Sequence, residues 1–182
     1  MTNQTAVRKT GITVVVAVMG LLFATAHADA QLGGLMDKAK GAATSAGKEK
    51  AEKDVNAKLS AEGRKNQCSF KTDSDQLMPG CDAKIKKLAD ALVDAKKTLQ
   101  MAGVKSYKFE VSGHTDSSGK ADHNKELSGK RAQAIAKELA ARGVPANKIV
   151  AISLGSDRPI VKPDNTPAKK AKNRRYEIQV RL

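Results

Sequence analysis

The stretch VSGHTDSSGKADHNKELSGKRAQA, residues 111–134, decides the fold and carries the candidate functional residues. Leading into it, Tyr107, Phe109 and Val111 alternate with polar residues, and this period of two predicts a strand. A polar loop follows, and apolar residues then recur at helical spacing. We therefore predict a strand, a loop and a helix that packs back against the strand.

A single arginine stands on the apolar face of that helix. Arg131 lies at i,i+4 spacing with Leu127, Ile135 and Leu139. An unpaired cation buried there would cost several kcal/mol, so the guanidinium needs a partner. Asp116 is the nearest carboxylate that a strand–loop–helix return could bring to it. The sequence thus predicts an acid and a base brought together, which either bridge each other or hold a ligand carrying both charges.

Further segments complete the unit around this stretch. Residues 69–72 are predicted to be a short strand and residues 82–101 a helix. Residues 149–154 form a continuous apolar run, which predicts a central strand covered on both faces, and residues 175–182 alternate as a strand with one wet face. Residues 155–172 are predicted to be a long loop ending in a helical turn. The order β-α-β-α-β-β predicts an α+β fold, with a mixed four-stranded sheet and two main helices packed on it.

The N-terminal residues 1–30 resemble an export signal. Two basic residues precede an apolar run at 12–23, and small residues then offer cleavage after Ala28 or Ala30. The alternative is an uncleaved membrane anchor over residues 11–28. Thr and Gly interrupt that span and a cleavage pattern follows it, so a cleaved signal peptide is the favoured prediction.

Residues 31–66 are rich in Ala and Lys and poor in large apolar residues. We predict a solvated spacer that is partly helical, since Glu49 and Lys53, and Asp54 and Lys58, form i,i+4 pairs. The alternative is an adaptor segment that recruits an envelope protein partner. Residues 67–182 are then the folded domain.

Composition narrows the range of partners. The formal net charge of +14 favours acidic partners, including nucleic acid, anionic lipid and wall polymers. With no Trp, two Tyr and three Phe, the chain has almost no side chains on which bases could stack, so we expect no nucleic-acid partner.

Cys68 and Cys81 are the only cysteines, and for an exported chain they predict a disulfide rather than a zinc or redox site. His114, Asp116, Asp122 and His123 match no metal-site spacing, so we expect neither a metal nor a cofactor.

From residue 67 to residue 182 the chain resembles the OmpA-like C-terminal domain, a family found in outer-membrane proteins, peptidoglycan-associated lipoproteins and flagellar stator proteins. The resemblance rests on motifs that occur in order along the sequence. They are Val111-x-Gly113-His114-Thr115-Asp116, Gly119, Asn124, Leu127-Ser128, Arg131-Ala132, Gly143, Gly155, Pro159 and Asn173-Arg174-Arg175.

The resemblance implies non-covalent binding of peptidoglycan through the diaminopimelate residue of its stem peptide. The two principal ligand residues of the family correspond to Asp116 and Arg131, whose charges suit the ammonium and carboxylate of that zwitterion. Thr115, Asn124, Leu127 and Arg174 also lie where the family places its pocket. Asn124 could equally cap the helix, Leu127 could belong to the core, and Arg174 could be a solvated charge opening the last strand.

The sequence shows no nucleophile–base pair, zinc triad or carboxylate dyad, so we predict a binding protein rather than an enzyme. The chain departs from the best-known family members, since we expect neither a membrane barrel nor the acylated cysteine of the lipoproteins. The expected location is the periplasm, in association with the outer membrane.

Overall fold

The computed structural model describes the backbone of residues 25–182, and the side chains at position 41 and from 44 onward. The predicted signal segment therefore lies, up to residue 24, outside the described part. The chain divides into two units, residues 1–41 and 42–182. The described part of the first unit is helical backbone, and none of the described helices is long and apolar enough to cross a membrane.

The described elements confirm an α+β fold. The helices are α1 (Thr25–Lys65), α2 (Asp82–Met101), α3 (Ala121–Ala141) and α4 (Pro167–Asn173), with a 3-10 turn at Ala146–Lys148. The strands are β1 (Lys108–His114), β2 (Ile149–Gly155) and β3 (Tyr176–Arg181). α2 and α3 are the two predicted main helices, and α4 is the helical turn predicted at the end of the long loop.

Within the described residues the sheet is mixed and has three strands, in the order β2-β1-β3. β1 is parallel to β2 and antiparallel to β3, with Val111 opposite Ala151 and Ile178. The prediction that residues 149–154 form a central strand is wrong, because β1 takes both partners and leaves β2 at an edge. Val150 is accordingly exposed.

The fourth strand, predicted at residues 69–72, is not part of this sheet. Phe70 forms one isolated bridge with Leu77 instead. The segment folds back on itself, with Lys71 N donating to Gln76 O at 2.9 Å and Met78 N donating to Ser69 O at 2.9 Å. These local bonds satisfy backbone groups that a sheet would otherwise pair.

The end of α1 belongs to the core, which corrects the prediction of a solvated spacer for the part from Ala51 onward. Val55 and Leu59 are each only 2% exposed and join the hydrophobic cluster with Ile85 and Leu88 of α2. Together with buried Ala51, they form an i,i+4,i+8 stripe on one helix face. These three side chains are enough to pack the end of α1 on the core because they lie on the same helix face.

Candidate functional site

Two backbones approach closely where β1 meets α3, and this contact positions the candidate site. A Cβ added to Gly113 would overlap the backbone carbonyl of Ser128, so the position tolerates only glycine. The Ser128 hydroxyl in turn accepts a 2.8 Å hydrogen bond from the backbone N–H of Gly155. The first turns of α3 therefore lie directly over the carboxyl ends of β1 and β2.

Asp116 lies in the loop between β1 and α3 and is 8% exposed. Its Oδ1 accepts from Ser118 N at 2.9 Å, and its Oδ2 accepts from Nη1 of Arg174 at 2.7 Å. Asn124 fixes the same loop by donating to Ser118 O at 2.8 Å and to Asp116 O at 3.4 Å. Asn124 therefore holds the loop that carries Asp116.

The charge state of Asp116 follows from these bonds. Burial disfavours ionisation, but the hydrogen bonds from Arg174 and Ser118 outweigh it and hold the pKa of the carboxyl below its usual value. Asp116 is thus an anion at neutral pH.

Arg131 projects from α3 and is 6% exposed. Its Nε donates to Ser74 O at 2.9 Å, its Nη2 donates to Lys71 O at 3.4 Å, and its guanidinium lies 5.0 Å from the centre of the Phe70 ring. Among the ion pairs of the described residues, none includes Arg131, whereas Asp116 pairs with Arg174. The buried guanidinium is held by backbone carbonyls and an aromatic face, without a carboxylate.

The electrostatic surroundings of Arg131 reflect this arrangement. Burial lowers its pKa, the nearby charge of Arg174 lowers it further, and Asp73, Asp116 and Asp75 oppose the shift. Asp116 is therefore close enough to raise the pKa of Arg131 without forming an ion pair with it.

The remaining predicted site residues differ in how they are placed. Thr115 is buried, its N–H donates to Gly155 O at 2.8 Å, and its hydroxyl has no hydrogen-bond partner among the described residues. Leu127 is half-buried and lies outside the hydrophobic core cluster. The interpretation of Leu127 as a core residue is therefore wrong, and its side chain remains partly accessible.

His114 is a buried structural residue rather than a ligand candidate. Burial lowers its pKa to about 4, with a further contribution from Arg175 that Glu177 opposes. The imidazole is thus neutral at neutral pH. No cluster of three or more His, Cys, Asp or Glu side chains able to hold a metal is found among the described residues.

Two residues support the segment that carries Arg174, and sequence reasoning missed one of them, Asp164. Fully buried Asn173 accepts from Ile160 N and Val161 N through its Oδ1, and its Nδ2 donates to Val161 O and to Asp164 Oδ2. Asp164 also accepts from Ser117 N at 2.9 Å. This network joins the loop that carries Asp116 to the segment that carries Arg174. The N-R-R motif marked Asn173, but no local pattern marked Asp164.

A model of the OmpA family matches residues 69–174, which is more than half of the chain. The chain belongs to the OmpA family. All six predicted ligand-binding positions lie inside the OmpA match. They are Thr115, Asp116, Asn124, Leu127, Arg131 and Arg174.

Curated OmpA-like relatives include proteins much longer than the matched region. The chain is 35% identical over 112 residues to outer membrane porin F of Pseudomonas fluorescens, covering 61% of this chain and 31% of the relative. It is 36% identical over 115 residues to the peptidoglycan-binding protein ArfA of Mycobacterium tuberculosis, covering 62% of this chain and 31% of the relative. The chain thus spans about a third of the length of these relatives.

Solved structures share the OmpA-like fold. The peptidoglycan-associated lipoprotein of Burkholderia pseudomallei superposes with a TM-score of 0.52 at 25% identity, over 63% of this chain and 89% of that one. The C-terminal domain of Helicobacter pylori MotB superposes with a TM-score of 0.53 at 25% identity, over 64% of this chain and 84% of that one. The buried end of α1, residues 51–65, precedes the OmpA match.

The two cysteines are free thiols in this OmpA-family structure, and both are buried. The Sγ of Cys68 lies 3.8 Å from the carbonyl oxygen of Cys81. The disulfide between them therefore remains a prediction, supported by this proximity.

Proposed function

We propose that this chain binds peptidoglycan non-covalently by holding the diaminopimelate residue of the stem peptide at Asp116 and Arg131. Asp116 receives the ammonium group of the ligand, and the planar donor fork of Arg131 receives its carboxylate. Family membership supports this proposal, as do relatives whose names describe peptidoglycan binding or association.

One observation carries the proposal. Arg131 is a buried cation beside a buried anion, and its own ion pair is missing among the described residues. An unpaired charge in a desolvated position is costly, and a ligand carboxylate would compensate it. A protein that needed Arg131 only for stability would be expected to pair it with Asp116.

Arg174 gives the site a second cation that can adjust to the ligand. Its side chain is 45% exposed, so it can retain one oxygen of Asp116 while the ligand ammonium takes another position on the carboxylate. Asn124 holds the loop, and Thr115 and Leu127 contribute a hydroxyl and an apolar wall to the proposed pocket.

The proposal also includes the predicted location, the absence of catalysis and the recruitment of a partner. We place the chain in the periplasm, associated with the outer membrane, after export by the segment 1–30. The proposed function is binding without catalysis, so incubation of sacculi with pure protein should release no soluble muropeptides. Recruitment of an envelope partner through residues 31–66 also belongs to the proposal, and Ala51, Val55 and Leu59 would not contact that partner because they are buried.

The proposal is tested by co-sedimentation with diaminopimelate-type sacculi. The near-isosteric variants Asp116→Asn and Arg131→Gln should each lose most of the sedimented protein. Asp90→Asn and Arg181→Gln remove charges of the same signs from exposed pairs elsewhere and should bind as the wild type does. Full retention of both site variants on sacculi would refute the proposal.

A further inference from the structure

The outer edge of β3 is an unpaired strand edge within the described sheet. His114 N donates to Arg175 O at 2.9 Å, so these two residues are a hydrogen-bonded pair of the antiparallel ladder between β1 and β3. Hydrogen-bonded and non-hydrogen-bonded pairs alternate along such a ladder. Continuing that alternation, the N–H and C=O groups of residues 177, 179 and 181 face β1. Those of Tyr176, Ile178 and Val180 face away from the sheet.

Two side-chain amides occupy the ends of this edge. The amide of Asn56 on α1 donates to Val180 O at 3.1 Å and accepts from Val180 N at 2.7 Å. The amide of Gln67 donates to Tyr176 O at 2.8 Å and accepts from Tyr176 N at 3.3 Å. Each amide makes the pair of bonds that a neighbouring strand would make.

Ile178 lies between these two positions and is 3% exposed. Among the described residues, no group accepts from its outward N–H and none donates to its outward C=O. The gap opens into a groove of about 720 Å³ between α1 and β3. Gly63 of α1 lies on its wall, and a Cβ added there would meet no atom of a neighbouring element within 4 Å. The groove thus has unfilled space at Gly63, and the backbone of Ile178 lies in the lining of the same groove.

The groove is basic and reaches the candidate site. Arg131 and Arg174 both lie in its lining. Among the described residues that line it, five are cationic and Glu177 alone is anionic. The cations are Arg64, Arg131, Lys172, Arg174 and Arg175. The groove therefore suits an extended ligand that carries carboxylates.

We propose that this groove binds the backbone of the peptidoglycan stem peptide, on the residues that precede diaminopimelate. This inference rests on the proposed function of Asp116 and Arg131. A peptide N–H would donate to Ile178 O, a peptide C=O would accept from Ile178 N, and the carboxylate of the glutamate residue would lie near Arg64 or Lys172.

The single unpaired position at Ile178 favours a short wall peptide, rather than a strand of a protein partner, as the ligand of the groove. A protein strand gains affinity from several ladder bonds along an edge, and it would have to displace both Asn56 and Gln67. A stem peptide needs only the one pair at Ile178. Its diaminopimelate end would already be anchored where the groove meets Arg131 and Arg174.

The test compares two ligands on the full chain, free meso-diaminopimelate and the tripeptide L-Ala-γ-D-Glu-meso-diaminopimelate. Calorimetry gives the affinities, and NMR follows hydrogen exchange at the amide of Ile178. The tripeptide should bind about tenfold more tightly than the free amino acid, as two additional net hydrogen bonds would produce. Only the tripeptide should slow exchange at Ile178.

Gly63→Leu places a side chain in the groove from the wall that α1 forms and replaces no residue of the candidate site. It should remove the tenfold advantage and the exchange protection while leaving the affinity for free diaminopimelate unchanged. Gly47→Leu, on an exposed part of the same helix, is the matched control and should behave as the wild type does.

Equal affinities of the wild type for the two ligands would overturn the proposal that the groove binds the stem peptide, but not the proposed function. A tripeptide advantage that survives Gly63→Leu would do the same. Failure of the wild type to bind either ligand would overturn the proposed function together with the proposal for the groove.

Discussion

Arg174 donates a 2.7 Å hydrogen bond to Oδ2 of Asp116, so the acid of the candidate site is paired with an arginine from the segment before β3. Arg131, which the helical pattern singles out, is left to backbone carbonyls and the Phe70 ring. The site therefore contains one anion and two cations in distinct roles. Arg174 pairs with Asp116, and in the proposed function Arg131 receives the ligand carboxylate.

Replacing Arg174 should change the ionisation of Asp116. Burial of Asp116 favours the neutral acid, and Arg174 is the principal group opposing it. In Arg174→Gln the pKa of Asp116 should rise, as followed by carboxyl ¹³C NMR over a pH titration. Arg181→Gln, which removes the ion pair with Glu110 elsewhere, is the control and should leave Asp116 unchanged. An unaltered pKa in Arg174→Gln would contradict the pairing.

Asp164 should make stability depend on pH in the acid range. Hydrogen bonds from Ser117 and Asn173 lower its pKa to about 2. Because the pKa is lower in the folded chain than in the unfolded one, its contribution is complete above about pH 4 and is lost as pH falls towards 2. In Asp164→Asn the thermal midpoint should fall less steeply between pH 4 and pH 2. An equally steep loss would assign the acid sensitivity to other groups.

Gly113→Ala should destabilise the chain through a clash with the Ser128 carbonyl. Neither backbone can move without disturbing the packing of α3 on β1, so we expect a loss of about 1–3 kcal/mol in the free energy of unfolding. Urea denaturation measures the loss. Gly47→Ala, in an exposed helical turn, should instead be neutral or stabilising by up to about 1 kcal/mol. Equal stability of the two variants would refute the close approach.

The predicted disulfide should form slowly and stabilise the fold. Burial raises the pKa of Cys68 to about 12, and a hydrogen bond with Cys81 adds to the shift, so little thiolate is present at neutral pH. Oxidation should lower the intact mass by about 2 Da and stabilise the chain by about 3 kcal/mol for a loop of this length. Cys81→Ser supplies the control that cannot close the loop. Persistence of two free thiols after prolonged oxidation would refute the bridge.

Two truncations should separate the two parts of α1. Removing residues 1–43 should leave the domain folded with wild-type stability, since Ala51, Val55 and Leu59 remain. Removing residues 1–66 also deletes Val55 and Leu59, and each buried aliphatic side chain contributes about 1.5–3 kcal/mol. Thermal unfolding should show a marked loss only for the longer truncation. Equal midpoints would show that α1 contributes nothing to the core.

The sequence predicts those helices and strands in which apolar residues recur at regular spacing along the whole element, because that spacing also indicates which face packs on its neighbours. α2, α3, β1 and β3 all carry such a pattern, and so the α+β class and the position of Arg131 on a buried helix face could be predicted. The strand predicted at residues 69–72 does not join the sheet, because Phe70 forms a bridge within its own loop. Hydrophobic periodicity does not predict such a local pairing.

The partner of Asp116 could not be predicted, because it lies 58 residues away and no local spacing links the two. Chain folding alone decides which of several arginines reaches a given carboxylate. The burial of α1 was predictable in principle from the spacing of Ala51, Val55 and Leu59. Composition alone predicts a spacer there, because large apolar residues are few among the many polar ones.

The amides of Asn56 and Gln67 also bear on how neighbouring copies of the chain behave. A bare strand edge is a template on which identical molecules can stack, and stacking becomes more favourable as their local concentration rises. Many copies held side by side on one polymer would be in that situation. Because both ends of the β3 edge are already hydrogen-bonded within the molecule, crowded copies have no continuous β3 edge through which to aggregate.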